Sequence, residues 1–282
     1  MSELFNRDFA ITIGSTKIQA REPSDVSIAK PTLRISFKVE KSLDRNPNKA
    51  DVQIWNLNED HRKTLQKKQA IIVEAGYVST MQLLFSGDIT FVNHVREGAD
   101  WVTTVQSGDG ANQYASAQMN ASFAPGAQMT AVLKATAESL GVGLGNAMEK
   151  IGKGQFRKGF TEFSKGVVAS GPSKNVMDKL ASTAGFTWSI QDKELQILGP
   201  LDTTTEEVVS LTKDSGLIGS PEVGEDGVVK AKSLLQGTIR PGRRIRIESL
   251  MMNGFFRVEK VVHSGDTWGS DWYSELEAKP IS

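Results

Sequence analysis

Three histidines, His61, His94 and His263, are the first residues to weigh for chemistry in this chain of 282 residues. They stand far apart, no H-E-x-x-H motif joins them, and the chain has no Cys to complete a thiolate site; the reading is no metal and no cofactor. The glycines of Gly141-Val142-Gly143-Leu144-Gly145 invite comparison with a phosphate loop. The dinucleotide pattern requires a third Gly where Asn146 stands, and a strand should precede it where a helix is expected to end. Gly152-Lys153 fails the P-loop pattern because Ala147 occupies the earlier Gly position, so the segment reads as a flexible connector. No G-x-S-x-G elbow marks a nucleophilic Ser. The acidic pairs Glu206-Glu207 and Glu225-Asp226 fall in turn-like, solvated contexts unsuited to raising a carboxyl pKa. A hydrolase pair assembled from distant strands stays open, with no residue nominated; the catalytic, cofactor and metal sets are empty and the binding residues unknown.

Two clusters suggest surfaces instead. Arg240-Pro241-Gly242-Arg243-Arg244-Ile245-Arg246 is the densest basic run. It admits three readings: a solvated strand face, an inter-subunit ion-pair surface, or contact with a polyanion. Phe156, Phe160, Phe163 and Val167 recur at helical spacing, a stripe for core or partner packing or for a membrane surface. Gly154, Gly159 and Gly166 weaken that helix by about 1 kcal/mol each.

The elements that must position these residues come from periodicity. Leu33–Glu40 and Asp51–Trp55 alternate apolar and polar residues as half-buried strands do. Asn58 caps a short helix ending near Leu65. A strand at Ile71–Ala75 precedes a long hairpin, Met81–Val95 and Trp101–Gln106, turned at Glu97-Gly98-Ala99-Asp100. Between 111 and 200 the period becomes helical: Met129, Val132, Leu133, Thr136 and Leu140 share one face, and Ser173 opens a second helix ending at Gly185. A hairpin around Asp192-Lys193 follows. Strands return at Val228–Leu235, Ile245–Ile247, Phe256–Val262 and Trp272–Ala278.

Gly87, His94 and Trp101 are echoed by Gly254, His263 and Trp272, each time with His after a strand-opening Gly and Trp starting the return strand. Two similar hairpins arising by chance and a duplicated β domain both fit.

Composition bounds the rest. Thirty-three basic and 33 acidic residues cancel, which argues against an electrostatic nucleic-acid binder. At 39% hydrophobic and 23% charged the chain can bury a core, and its length suits about two domains. No secretory leader is evident, and no apolar run approaches the ~18 residues that span a bilayer. The expectation is a soluble protein with no membrane insertion.

Taken in order, these segments resemble the baseplate hub and tail-tip proteins of bacteriophages with contractile or related tails, similar to the late control protein D group and to the hub portion of VgrG. The carrying residues are Ala50–Asn58, Glu74-Ala75-Gly76-Tyr77, Leu84–Ile89, Gly108-Asp109-Gly110 and Val176–Leu198. Gly216–Pro221, Leu234–Gly242 and Gly254–Trp272 complete the set. The resemblance implies a β-rich α+β fold: two tail-tube-like β-barrel domains, 1–110 and 201–282, with a small α/β domain, 111–200, between them and a Gly/Lys-rich flexible segment at 141–171. It implies a structural, non-enzymatic hub. Three copies would form a ring adapting a six-fold tail tube to a three-fold central spike. The implied partners are the tail tube protein, the spike, the tape-measure protein and other baseplate proteins, with DNA only in transit through a channel. The implied location is the virion tail baseplate, after assembly in the host cytoplasm. A contractile injection or type VI secretion-like hub shares these features. Longer relatives append a lytic or spike domain; here any such activity is expected on a separate protein.

Overall fold

A computed structural model describes residues 6–21, 32–152, 162–200 and 202–281. Seven strands come first: β1 (Arg7–Ile13), β2 (Thr16–Gln19), β3 (Ile35–Ser42), β4 (Lys49–Trp55), β5 (Ala70–Tyr77), β6 (Thr80–Glu97) and β7 (Asp100–Gly108). Helix α1 (Glu59–Thr64) lies between β4 and β5, and the Asn58 side chain accepts from the His61 amide at its start, as expected. Alternation is strict in β3, where Ile35, Phe37, Val39 and Lys41 are buried and the intervening residues are not.

The middle of the chain forms α2 (Ala111–Ser116), β8 (Gln118–Phe123), β9 (Ala127–Gln128), α3 (Met129–Ser139), α4 (Ala147–Gly152), β10 (Glu162–Phe163), β11 (Val167–Pro172), α5 (Ser173–Ala184), β12 (Thr187–Gln191) and β13 (Glu194–Leu198). Then follow β14 (Val209–Leu211), a 3-10 turn (Lys213–Ser215), β15 (Leu217–Val223), β16 (Val229–Leu234), β17 (Arg244–Glu248), β18 (Asn253–Asp266) and β19 (Trp272–Pro280).

The chain divides into two compact units. One comprises 1–42, 48–108 and 205–282; the other comprises 43–47 and 109–204. In the first, thirteen strands join in one sheet, ordered β15-β16-β19-β18-β3-β4-β7-β6-β5-β1-β2, with β17 on β18 and β14 on β17. The order holds a repetition. From β1 and β3–β7 it reads β1-β5-β6-β7-β4-β3; from β14–β19 it reads β14-β17-β18-β19-β16-β15. Numbering each set from one to six, both are 1-4-5-6-3-2. All pairings within the sets are antiparallel except β14 on β17, which is parallel. The hairpin echo is thus part of a six-strand duplication.

Each set curls over its own core. Phe9 of β1 stacks on Phe37 of β3 with ring centroids 5.1 Å apart, although five inter-strand steps of about 4.8 Å separate them along the sheet. Only a rolled sheet brings them together. Amides of Thr32 and Leu33 donate to the Ala20 carbonyl, tying the chain after β2 back toward β3. In the second set the 3-10 turn, capped by Thr212, joins outer strands β14 and β15, and Leu211, Ile247, Val261, Leu276 and Val229 share one cluster. No strand ladder closes either roll among the described residues.

The second unit packs α3 and α5 with the antiparallel pair β8·β11 and the hairpin β12·β13 around Leu133, Met177, Leu180, Trp188 and Ile197. Asp192 and Lys193 turn the β12–β13 hairpin with positive φ, and both their amides donate to the Asp109 carboxylate at 2.5 and 2.6 Å. Three expectations are corrected here. Phe163 and Val167 lie in strands β10 and β11, not on a helix; Phe156 and Phe160 fall outside the described residues. Pro172, not Ser173, is the residue flanking α5. The 141–145 run is not a loose connector, because Gly143 exchanges backbone hydrogen bonds with Lys193 and Leu195. Gly145 sits at φ +47°, where a Cβ would stand 2.3 Å from the Leu195 carbonyl oxygen, so close backbone approach explains that glycine.

Candidate interaction surface

Among the described residues no group of His, Asp and Glu could hold a metal ion. The three histidines stay apart. His61 lies in α1, its amide donating to Asn58 and its carbonyl accepting from the Thr64 hydroxyl, whereas His94 and His263 occupy matching places in the two rolls.

His94 pairs with Thr103 across β6–β7, and its Nδ1 lies 3.0 Å from the Thr103 hydroxyl. His263 pairs with Ser274 across β18–β19, Nδ1 to hydroxyl 2.8 Å. A backbone group ahead of the strand entering each hairpin also bonds the imidazole, from Arg62 in the first roll and Ile239 in the second. Two residues beyond His, Arg96 faces Trp101 and Gly265 faces Trp272. Each indole carries a guanidinium, Arg62 at 4.6 Å and Arg7 at 5.6 Å.

Their surroundings differ. Strand β3 pairs with β18 over Lys260–Asp266, so His263 and Trp272 are each 1% exposed. Burial, then the charges of Lys41 and Arg240, push the His263 pKa down to about 3. On β6 the pairing with β5 ends at Asp88, and no described strand flanks Phe91–Glu97 opposite β7. Trp101, Val95 and Phe91 are 38–44% exposed there. The His94 pKa is lowered by partial burial first and by Arg62 second. Strand β15 ends the sheet at its other extreme, interrupted by a bulge between Ile218 and Glu222 that contains Pro221, a residue that belongs on edges.

The sheet face opposite the cores is polar and nearly balanced. Across β16, β19 and β18 run Lys230, Glu277 and Lys260; alongside run Lys232, Glu275, Val262, Glu40 and Lys49. Lys232 bonds Glu275 at 2.9 Å, and Lys38 bonds Glu40, which lowers the carboxyl pKa and raises that of the amine. Opposite charges facing each other across strands hold such a surface without apolar contacts.

The basic run is tied within the chain. Arg240 donates to the Leu83 and Gly237 carbonyls, and Arg243 pairs with Glu206 at 3.3 Å and donates to Thr238 and Glu207 carbonyls. Arg244 stacks on Phe255 at 4.0 Å, and Arg246 pairs with Glu248. Glu206 is therefore an ion-pair partner, and Asp226 accepts the Val228 amide in a turn. Sequence reading did not anticipate buried Lys41 or the Lys150–Asp202 pair at 2.6 Å. Lys41 was legible only as an inward position of a strand whose outer edge another strand covers.

A family model described as baseplate hub gp41 matches residues 15–264. Among solved structures, a tail protein from Neisseria meningitidis aligns over 98% of this chain and 97% of its own, at 9% identity and TM-score 0.67. The 43 kDa tail protein of a Shewanella oneidensis prophage aligns over 98% of both chains, at 9% identity and TM-score 0.64. An Escherichia coli component of the type VI secretion system aligns over 96% of this chain and 77% of its own, at 14% identity and TM-score 0.59. At these identities the likeness is one of fold. No curated protein matches in sequence.

Proposed function

Because the chain belongs to the baseplate hub gp41 family, structural proteins of the phage tail baseplate, we propose that it works as a homotrimeric ring joining a six-fold tail tube to a three-fold central spike. The observation that carries this reading is the repeated 1-4-5-6-3-2 strand order. One chain offers two near-equivalent rolls, so three chains offer six, and a ring of them matches six-fold symmetry on one side and three-fold on the other. The rolls are the two tube-like barrel domains, at 1–110 and 201–282, with 111–200 as the insert. Their polar, charge-balanced outer face suits a water-filled channel through which tape-measure protein and DNA pass without being held. The hub acts by position rather than by catalysis, binds tube, spike and other baseplate proteins, and assembles in the host cytoplasm before entering the virion.

Mass photometry at micromolar concentration, followed by negative-stain imaging, tests this. Three-chain particles with six lobes around a hole are expected. A monomer that ignores added tube and spike proteins would refute it. The same fold in a type VI secretion component supports a second setting, an injection apparatus, which the identity of the neighbouring genes decides.

A further inference from the structure

The two rolls differ in what lies beside their fifth strand, and the difference assigns an interface. In the second roll, β18 carries the first roll's second strand, β3, on its distal half. In the first roll the matching half of β6, Phe91–Glu97, has no strand beside it among the described residues. The second roll's second strand, β15, also ends unflanked. An exposed strand edge with apolar side chains invites pairing, and the molecule contains the template for how it is met.

We propose that the outer edge of β15 from a second copy of this chain pairs antiparallel with β6 over residues 91–97, repeating between copies the β3–β18 junction within one copy. This deepens the ring reading and rests on it. The register follows by matching pairs. Lys38 pairs with Ser264 and Asp51, and Glu222 takes the place of Lys38 because Lys230 takes that of Asp51. Val95 takes the place of Ser264, one residue after His. Glu222 of one copy thus faces Val95 of the next. Val223, 62% exposed, takes the place of Val39, which faces His263, and so covers His94. The two extra residues of the β15 bulge fall opposite Arg96, where Gly265 stands in the covered junction. Pro221 lies in that bulge and costs the ladder at most one donor there. The bulge makes room for the Arg side chain that replaces glycine.

The chain has no Cys, so V95C and E222C together place the only thiols at this contact. On a non-reducing denaturing gel a bond within one chain leaves the monomer band, whereas a bond between copies adds the mass of a whole chain. Mild oxidation of the full-length double variant is expected to give a ladder on non-reducing gels ending at three chains, absent from each single variant. Hydrogen exchange on the unaltered protein, read as concentration rises, is expected to protect 91–97 and 217–223 together. Rings seen by imaging without crosslinks and without protection at 91–97 overturn this interface while leaving the ring. A protein that stays monomeric throughout overturns both.

Discussion

Trp101 and Trp272 start equivalent strands, face equivalent neighbours and carry one guanidinium each, yet one is 38% exposed and the other 1%. His94 and His263 repeat the contrast beside them. Strand order, register and hydrogen-bond partners are shared, so none of these sets burial. What differs is the strand across the edge: β3 covers β18, while no described strand lies beside β6 over Phe91–Glu97. Environment is therefore set by what covers the strand edge, not by the local fold, and substitutions at paired positions should behave unequally in a lone chain.

Gly265 and Arg96 give the largest inequality. A Cβ at Gly265 would stand 2.5 Å from Trp272 and 2.7 Å from Phe37, whose rings meet edge to face at 5.2 Å. Both rings are core, so neither can yield cheaply. Gly265→Val is expected to cost about 3 kcal/mol in urea unfolding, while Arg96→Val costs less than about 0.5 kcal/mol, as surface changes do. Equal costs would mean the β3–β18 junction is loose.

The histidines come next. His263→Ala removes a buried ring and leaves the Ser274 hydroxyl with only the Gln236 amide as partner, for about 2–3 kcal/mol. His94→Ala in dilute protein should cost less, about 1 kcal/mol, since the lost ring is only partly buried, although the Thr103 hydroxyl it leaves is fully buried. Chevron or equilibrium denaturation of both variants reads the difference directly.

These pairs also mark what the sequence could tell. The Gly-His-Trp echo was visible because hairpin geometry writes itself into spacing: each hairpin needs a strand-length interval on either side of its turn. Helix α3 and the β12–β13 hairpin were legible for the same reason, their periods and turn residues being local. The mistaken helix through Phe163 and Val167 shows the limit. Helical spacing there coincides with two short strands whose partners, β9 and β8, lie tens of residues away. Gly143 and Gly145 looked like slack because the Glu194 carboxylate that occupies the space beside them is equally remote. The candidate surface was hardest: no residue type distinguishes a strand edge that is bare from one that is covered, and chemistry-bearing motifs were the wrong signal for it.

A smaller effect appears in acid. His263 has an ordinary pKa of 6.5 and a folded value of about 3. Between those values the unfolded chain binds a proton that the folded chain refuses, so stability rises with pH across that window and is lost as pH falls. The slope from this one group approaches about 1.4 kcal/mol per pH unit. Beside it lie the charges of Lys41 and Arg240, both opposing protonation. Urea titrations from pH 6.5 to 4 on the unaltered chain and on His263→Gln should differ by that slope; parallel curves would place a proton on the buried ring.

His94 offers the finest distinction, because its environment is the one expected to change. In the lone chain partial burial and Arg62 hold its pKa below the ordinary 6.5. If Val223 of another copy covers it as Val39 covers His263, assembly must expel the proton. Linkage then fixes the sign: association weakens once pH falls below the lone chain's own lowered His94 value, by no more than about tenfold per pH unit for each interface. Imidazole proton resonances followed against pH, in dilute and assembled protein, separate the cases. One histidine signal should move to lower pKa on assembly while the His263 signal stays fixed, and His94→Gln should remove both that shift and the pH dependence of association. A His94 signal unmoved by assembly would mean that the bare edge of the first roll stays bare, and that the two hairpins, alike in fold, are asymmetric in the working molecule as well.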